Sequence, residues 1–136
     1  MTKLAEQLKQ FGKAIHRFEE ILAVEKNDIV RDSAIQRFEF SFELAWKTVK
    51  EFLEERKGII QRSPKDCFRE AYRQKLIDHD DSWIAICDMR NYATHAYDEQ
   101  LADYIYNQLS KVLASFKELY DAMKREVEEV ESGEGN

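Results

Sequence analysis

Residues 34–53 read AIQRFEFSFELAWKTVKEFL and show the helical pattern on which the fold prediction rests. Apolar side chains recur there at intervals of three and four residues, the spacing of an amphipathic α-helix. This stripe predicts the core side of a long helix and consists of Ile35, Phe38, Phe42, Ala45, Trp46, Val49, Phe52 and Leu53. Phe40 and Leu44 lie about 160–200° away from the stripe. Either a fifth helix of the same chain or a twofold-related subunit must cover them.

Similar apolar spacing on both sides of this segment predicts five helices in all. Their expected bounds are residues 3–23, 28–56, 64–75, 81–94 and 98–124. We find no strand-like alternation and no internal repeat, so the predicted fold is all-α, a single antiparallel up-and-down helical bundle.

Turn and cap residues support these bounds. Asp28 is expected to cap the second helix and Gly58 to end it. Ser63 followed by Pro64 is a strong start signal for the third helix. Asp80 or Asp81 should cap the fourth helix, and the fifth should begin at Asp98.

Length and charge limit the chain to one domain with an acidic end. The 136 residues are 43% hydrophobic, which suffices for one compact core. Residues 126–136 contain five glutamates and neither Lys nor Arg, whereas residues 1–125 carry a net charge of −1 out of the total of −6. We therefore expect a domain over residues 1–125 and a disordered tail over residues 126–136.

The cysteines and the N-terminus indicate a cytoplasmic protein. Cys67 and Cys87 are far apart in sequence, and no secretory signal precedes them, so we expect buried, reduced thiols. No apolar run approaches the length of a membrane span, so no membrane association is expected.

Basic residues are concentrated in residues 56–75, where Lys and Arg exceed Asp and Glu by five. Lys65, Arg69 and Arg73 follow each other at four-residue intervals and would align on one helix face, with Arg62 just before it. This face is either ordinary solvated surface or a surface for RNA phosphates or a protein partner.

The richest chemistry lies in residues 90–97, which read RNYATHAY. Asn91 and His95 would share one helix face, while Arg90 and His95 stand about 140° apart. One straight helix therefore cannot direct all of these side chains into one site. They can line a cleft if the helix ends near His95, or if a symmetry-related subunit contributes a second copy.

An arginine beside a histidine is the minimum that RNA cleavage without a metal ion requires. Imidazole can move the proton of the 2′-hydroxyl or of the leaving group, and guanidinium can stabilise the charge on phosphorus. The alternative is structural, with His95 capping helix carbonyls and Arg90 in an ordinary salt bridge. The spacing alone does not choose between them.

The segment RNYATHAY resembles the signature of HEPN proteins, in which a polar residue follows the arginine and a histidine stands five positions after it. Its extension to Tyr97 is similar to the form found in HEPN partners of minimal nucleotidyltransferases. Residues 34–53 and 63–78 also look like the corresponding helices of the nucleotidyltransferase substrate-binding family. The resemblance covers about residues 3–122. Tyr92 departs from the aliphatic residues that are also common at its position.

The resemblance implies a HEPN-like bundle and a homodimer with both motifs near the interface. It also implies a cognate minimal nucleotidyltransferase, which would use ATP and Mg²⁺, whereas this chain would need no cofactor or metal of its own. Arg90 and His95 correspond to the ribonuclease pair and Asn91 to the polar residue that assists them. Tyr97 corresponds to a tyrosine that the partner adenylylates.

Three functions from different classes follow. The chain is a toxin-like ribonuclease, a non-catalytic subunit that presents substrate or nucleotide to the transferase, or a scaffold in which Arg90 and His95 only stabilise a dimer. It is not itself a nucleotidyltransferase, because it has no Gly-rich phosphate loop and no Gly-Ser segment followed by paired carboxylates.

Overall fold

The computed structural model describes residues 2–134, and side chains as far as residue 129. Within that range the chain forms five α-helices and no β-strand. None of these helices is both long enough and apolar enough to cross a lipid bilayer. Short connections join neighbouring helices, so the predicted all-α bundle is confirmed. The helices are α1 (Lys3–Leu22), α2 (Asp28–Lys57), α3 (Pro64–Arg73), α4 (Asp81–Ala93) and α5 (Glu99–Glu134).

Side-chain caps determine where α2 and α3 begin. Asn27 accepts a hydrogen bond from a first-turn backbone N–H at 2.8 Å, so Asn27 is the N-cap of α2 and the prediction of Asp28 was wrong by one residue. Asp28 is the first helical residue, where its charge still favours the helix dipole. Ser63 caps α3 and Pro64 follows it, as predicted. Gly58 ends α2 with a left-handed φ of 65°.

Helix α5 is longer than the sequence predicts. It begins after Asp98, whose carboxylate accepts hydrogen bonds from two backbone N–H groups at 2.9 and 3.1 Å. It continues to Glu134 because Val127 extends the buried stripe one turn beyond Met123. Residues 126–134 are therefore helical where we expected a disordered tail, and residues 135–136 lie outside the described residues.

Phe116 of α5 lies at the centre of the core. Its ring contacts aromatic side chains of three other helices at centroid distances of 5.8–6.2 Å, namely Phe11 and Phe18 of α1, Phe38 of α2 and Trp83 of α4. Trp83 in turn stacks on Phe68 of α3 at 4.5 Å. One connected set of aromatic rings thus joins all five helices.

One apolar side chain of α2 remains outside this core. Helix α2 contacts all four other helices, yet Phe40 is 58% exposed. Leu44 is half-buried at the edge of the core. The fifth helix therefore does not cover Phe40, which stays exposed on the surface of the single chain.

Replacing Phe116 by Ala should lower the free energy of unfolding by about 3–5 kcal/mol, because the cavity would open among rings from three neighbouring helices. Phe40→Ala is a matched control that removes the same atoms from an exposed position, and it should change stability by about 0.5 kcal/mol or less. Chemical denaturation followed by circular dichroism measures both. Equal losses in the two variants would contradict the central position of Phe116.

Candidate active site

The motif residues occupy the end of α4 and the turn that follows it. Helix α4 ends at Ala93, close to the predicted end, and residues 94–97 form turns. The His95 backbone N–H donates to the Tyr92 carbonyl at 2.9 Å, and the Asp98 N–H donates to the His95 carbonyl at 3.1 Å. Arg90 and Asn91 are therefore on the last helical turn, while His95 and Tyr97 are beyond it.

Arg90 reaches across to α2. Its Nη2 donates a hydrogen bond to Glu43 Oε1 at 2.8 Å, and its side chain is 37% exposed. Glu43 Oε2 also accepts a hydrogen bond from Trp46 Nε1 at 3.2 Å. The Arg90 Nε is buried and has no hydrogen-bond partner among the described residues. The guanidinium is thus fixed at one end and retains N–H groups that a ligand can use.

A second carboxylate lies on the same side of α2, one turn before Glu43. Burial raises the pKa of Glu39, and the positive charge of Arg90 opposes that increase. Glu39 and Glu43 are therefore the side chains of α2 that set the electrostatic environment of Arg90. Sequence reasoning missed both residues. Their four-residue spacing shows that they share one face of α2, but it does not show which other helix packs against that face.

A groove of about 510 Å³ opens beside Arg90. Arg90 and Asn91 line it from α4, Glu43 and Trp46 from α2, and Lys65 from α3. His95 and Tyr97 do not line this groove. Its walls offer two cations, a carboxylate, an amide and an indole, and both cations are in ion pairs, Arg90 with Glu43 and Lys65 with Asp88.

His95 and Tyr97 form an exposed pair. The His95 Nδ1 and the Tyr97 Oη are 3.3 Å apart, and the two rings meet edge to face at 5.8 Å. Tyr97 is 83% exposed. If the phenol donates to Nδ1, the Nε2 carries the ring proton and cannot accept another. If Nδ1 donates, Nε2 is free to accept a proton as a base.

The four candidate residues therefore come together as two pairs. Arg90 and Asn91 share the groove, and His95 and Tyr97 share a hydrogen bond. In residues 2–129 no hydrogen bond joins Arg90 to His95. The Arg90–Glu43 ion pair agrees with the structural alternative for Arg90, whereas the His95 ring bonds Tyr97 Oη and, within residues 2–129, caps no helix carbonyl.

The predicted basic face on α3 is largely ion-paired. Lys65 Nζ lies 2.8 Å from Asp88 Oδ1, and this hydrogen bond holds the pKa of Lys65 above its usual value. Arg69 and Arg73 pair with acidic residues of their own helix, at 3.4 and 2.7 Å. Arg62 is exposed just before the helix. The role of this face stays a prediction, with most of its charge already neutralised.

A family model described as nucleotidyltransferase substrate binding protein like matches residues 6–125. The chain belongs to that family. The match confirms the resemblance carried by RNYATHAY and the helices before it.

Relatives of this family share sequence and fold with the chain. The chain is 35% identical over 105 residues to a Haemophilus influenzae protein named probable ribonuclease HepT. The alignment covers 71% of this chain and 72% of the relative. An H. influenzae structure described as the substrate binding domain of a nucleotidyltransferase matches with a TM-score of 0.76 and 28% identity, over 86% of this chain and 98% of the other. A toxin–antitoxin complex named MntA–HepT shares the fold, with a TM-score of 0.74 and 19% identity over 90% and 97%.

Both cysteines are unsuited to nucleophilic chemistry, although Cys87 lines the groove. Burial raises the pKa of the Cys67 thiol to about 11 and that of Cys87 to about 12. At about pH 8 the native thiols should therefore react with a disulfide reagent about a hundredfold more slowly than the thiols of the unfolded chain. Comparing native and guanidinium-treated protein measures this difference. Rapid native labelling would show that one thiol is accessible.

Proposed function

We propose that this protein is a toxin-like ribonuclease of the cytoplasm that cleaves RNA as a homodimer without a metal ion. Arg90, Asn91 and His95 are the catalytic residues, and a cognate minimal nucleotidyltransferase silences the enzyme by adenylylating Tyr97. The observation that carries this proposal is the exposed His95–Tyr97 pair, placed at the end of the helix whose last turn holds Arg90. The names of the relatives, a probable ribonuclease and a toxin–antitoxin complex, agree with it.

His95 supplies the proton transfer in this mechanism. Its imidazole takes the proton of a ribose 2′-hydroxyl while that oxygen forms a bond to the neighbouring phosphorus. The bond from phosphorus to the 5′-oxygen then breaks, and this oxygen needs a proton from a second acid. The matching His95 of the partner subunit can provide it if both motifs line one cleft.

Arg90 and Asn91 hold the phosphate. Arg90 is held in place through Glu43 and presents its remaining N–H groups to the phosphate oxygens, where negative charge increases in the transition state. The Asn91 amide lies next to it in the groove. Since Arg90 and His95 are not bonded to each other within residues 2–129, the substrate phosphate or the dimer must bring them to one reacting centre.

Purified protein should cleave single-stranded RNA in the presence of EDTA and leave DNA of the same sequence intact, because DNA lacks the 2′-hydroxyl. His95→Ala should reduce the rate by about 10²- to 10⁴-fold, the usual contribution of a general acid or base. Gel analysis of a labelled oligonucleotide measures both effects.

The matched control for this experiment is His16→Ala, which removes an exposed imidazole from α1, where it pairs with Glu20. This variant should cleave RNA at the normal rate. Equal activity of the His95→Ala protein would remove His95 from the mechanism, and cleavage that stops with EDTA would show that a metal ion is required.

Tyr97 is suited to be the acceptor of AMP. Its phenol is exposed, and His95 Nδ1 lies within reach of the hydroxyl proton. When Tyr97 Oη bonds to the α-phosphorus of ATP, the bond to the β-phosphate oxygen breaks, pyrophosphate leaves, and the imidazole can take the proton. The attached AMP then removes the phenol from its contact with His95 and places a phosphate diester near the cations of the site.

Incubation with the cognate nucleotidyltransferase, ATP and Mg²⁺ should add AMP to Tyr97 and abolish RNA cleavage. Tyr97→Phe should prevent the increase in intact mass, whereas Tyr104→Phe, which changes another exposed tyrosine, should not. Intact-mass spectrometry and the cleavage assay are run on the same samples. An unchanged mass increase in Tyr97→Phe would place the acceptor elsewhere, and full cleavage after complete modification would refute the regulatory mechanism.

A second candidate function is a non-catalytic subunit that binds substrate or nucleotide for the transferase. The groove beside Arg90 favours it, because its volume of about 510 Å³ and its Trp46 wall fit a nucleotide-sized ligand. Saturable ATP binding by a protein that never cleaves RNA would support this alternative over the ribonuclease.

A further inference from the structure

A groove between α1 and α2 combines positive charge with an exposed aromatic ring. It has a volume of about 290 Å³. Lys13 and Arg17 line it from α1, and Arg37, Phe40 and Leu44 line it from α2. No Asp or Glu is among its lining residues. We call it the α1–α2 groove.

The cations of the α1–α2 groove lack the ion pairs found on α3. In residues 2–129 none of Lys13, Arg17 and Arg37 forms a salt bridge, whereas Lys65, Arg69 and Arg73 each pair with a carboxylate. The Arg37 Nη1 donates a hydrogen bond to the Arg17 backbone carbonyl at 2.7 Å, which holds its guanidinium against α1. These charges are therefore available to an external anion.

The positive charge continues along α1. Lys9, Lys13 and Arg17 follow at four-residue intervals, so they share one helix face over about 12 Å of its length. Lys9 does not line the α1–α2 groove, but it lines a larger groove together with Lys13, Arg17 and three carboxylates, Glu19, Asp121 and Glu128. An extended polyanion could contact all three cations, whereas a single phosphate could not.

Phe40 adds a feature that phosphate binding alone does not explain. Its ring is 58% exposed and stands beside the cations of the groove. Proteins that bind single-stranded nucleic acid combine cations along the backbone with aromatic rings on which bases stack. An exposed phenylalanine among unpaired cations has this composition.

Phe40 of the groove is close along α2 to a residue of the candidate active site. Phe40 precedes Glu43 by three residues, which is about 4.5 Å along α2 and about 60° around its axis. Glu43 carries the ion pair with Arg90. A strand that stacks a base on Phe40 therefore has Arg90 within about one helical turn of α2.

We infer that the α1–α2 groove binds single-stranded RNA, with Lys13, Arg17 and Arg37 on its phosphates and Phe40 under one base. This inference rests on the proposed ribonuclease function and names the surface that holds its substrate. The strand continues past Phe40 to Arg90, where it is cleaved.

A second copy of the chain is the other occupant to consider for Phe40. A twofold contact centred on Phe40 would bring the same cations of both subunits together, and like charges repel each other. RNA has the complementary charge. The proposed dimer axis should therefore lie away from the α1–α2 groove.

Two triple variants, each lacking three positive charges, compare the α1–α2 groove with the basic face of α3 that the sequence predicts. Lys13→Gln, Arg17→Gln and Arg37→Gln neutralise the groove, and Lys65→Gln, Arg69→Gln and Arg73→Gln neutralise the same residue types on α3. Both are made in the full chain with His95→Ala, and fluorescence anisotropy measures binding of a labelled single-stranded RNA. The groove variant should lower the slope of log affinity against log salt by about 2, and the α3 variant by less, because its cations are already paired.

Phe40→Ala tests the aromatic part without a change of charge. It should weaken RNA binding by about 5- to 100-fold and leave the salt slope unchanged, as expected for loss of base stacking. Sedimentation of the same protein should show an unchanged oligomeric state. Conversion to monomer would show that a second copy covers Phe40 and would overturn the inference.

The remaining outcomes distinguish RNA binding in the α1–α2 groove from the proposed ribonuclease activity. Equal binding by the groove variant and its parent, or a loss confined to the α3 variant, would overturn the inference even if the wild-type chain cleaves RNA. Groove-dependent binding by a wild-type chain that never cleaves RNA would support the inference and overturn the catalytic proposal.

Discussion

The structure depends on the aromatic core that Phe116 organises. Three helices must direct rings towards one side chain of α5, and this fixes how each of them is rotated about its axis. Trp83 is the contribution of α4, and Arg90 follows it by seven residues, which returns to nearly the same face. The packing of Trp83 therefore directs Arg90 towards α2, where Glu43 receives it. The packing of α4 does not fix the direction of His95, because α4 ends at Ala93, before His95.

Most of the fold was predictable from local patterns, and the errors have local causes. The core stripe of α2 and the Ser63–Pro64 start were correct because apolar spacing and cap chemistry act within a few residues. Asn27 and Asp28 are both good cap residues, so the sequence could not decide between them. The acidic composition after residue 125 suggested disorder, but one buried side chain, Val127, extends the helical stripe through that region.

The candidate site was predictable in its residue types and only partly in its geometry. The RNYATHAY segment indicated the motif and the end of its helix, because both are local properties. The pairing of Arg90 with Glu43 joins residues 47 positions apart, and no spacing rule reports it. The ion pairs of the basic residues were unpredictable for the same reason. Sequence counts showed the excess charge near Lys65 but not that Asp88 of another helix would neutralise it.

The pairing of Arg90 also limits how the proposed ribonuclease can hold its substrate. A phosphate that approaches Arg90 meets the Glu43 carboxylate, and repulsion between the two anions reduces the affinity that Arg90 alone can provide. Burial raises the pKa of the second carboxyl, Glu39, and the positive charge of Arg90 opposes that increase. Charge at the site is thus suited to stabilising a transition state rather than to tight binding of RNA. Tight binding requires cations without carboxylate partners, and on α1 and α2 such cations surround Phe40.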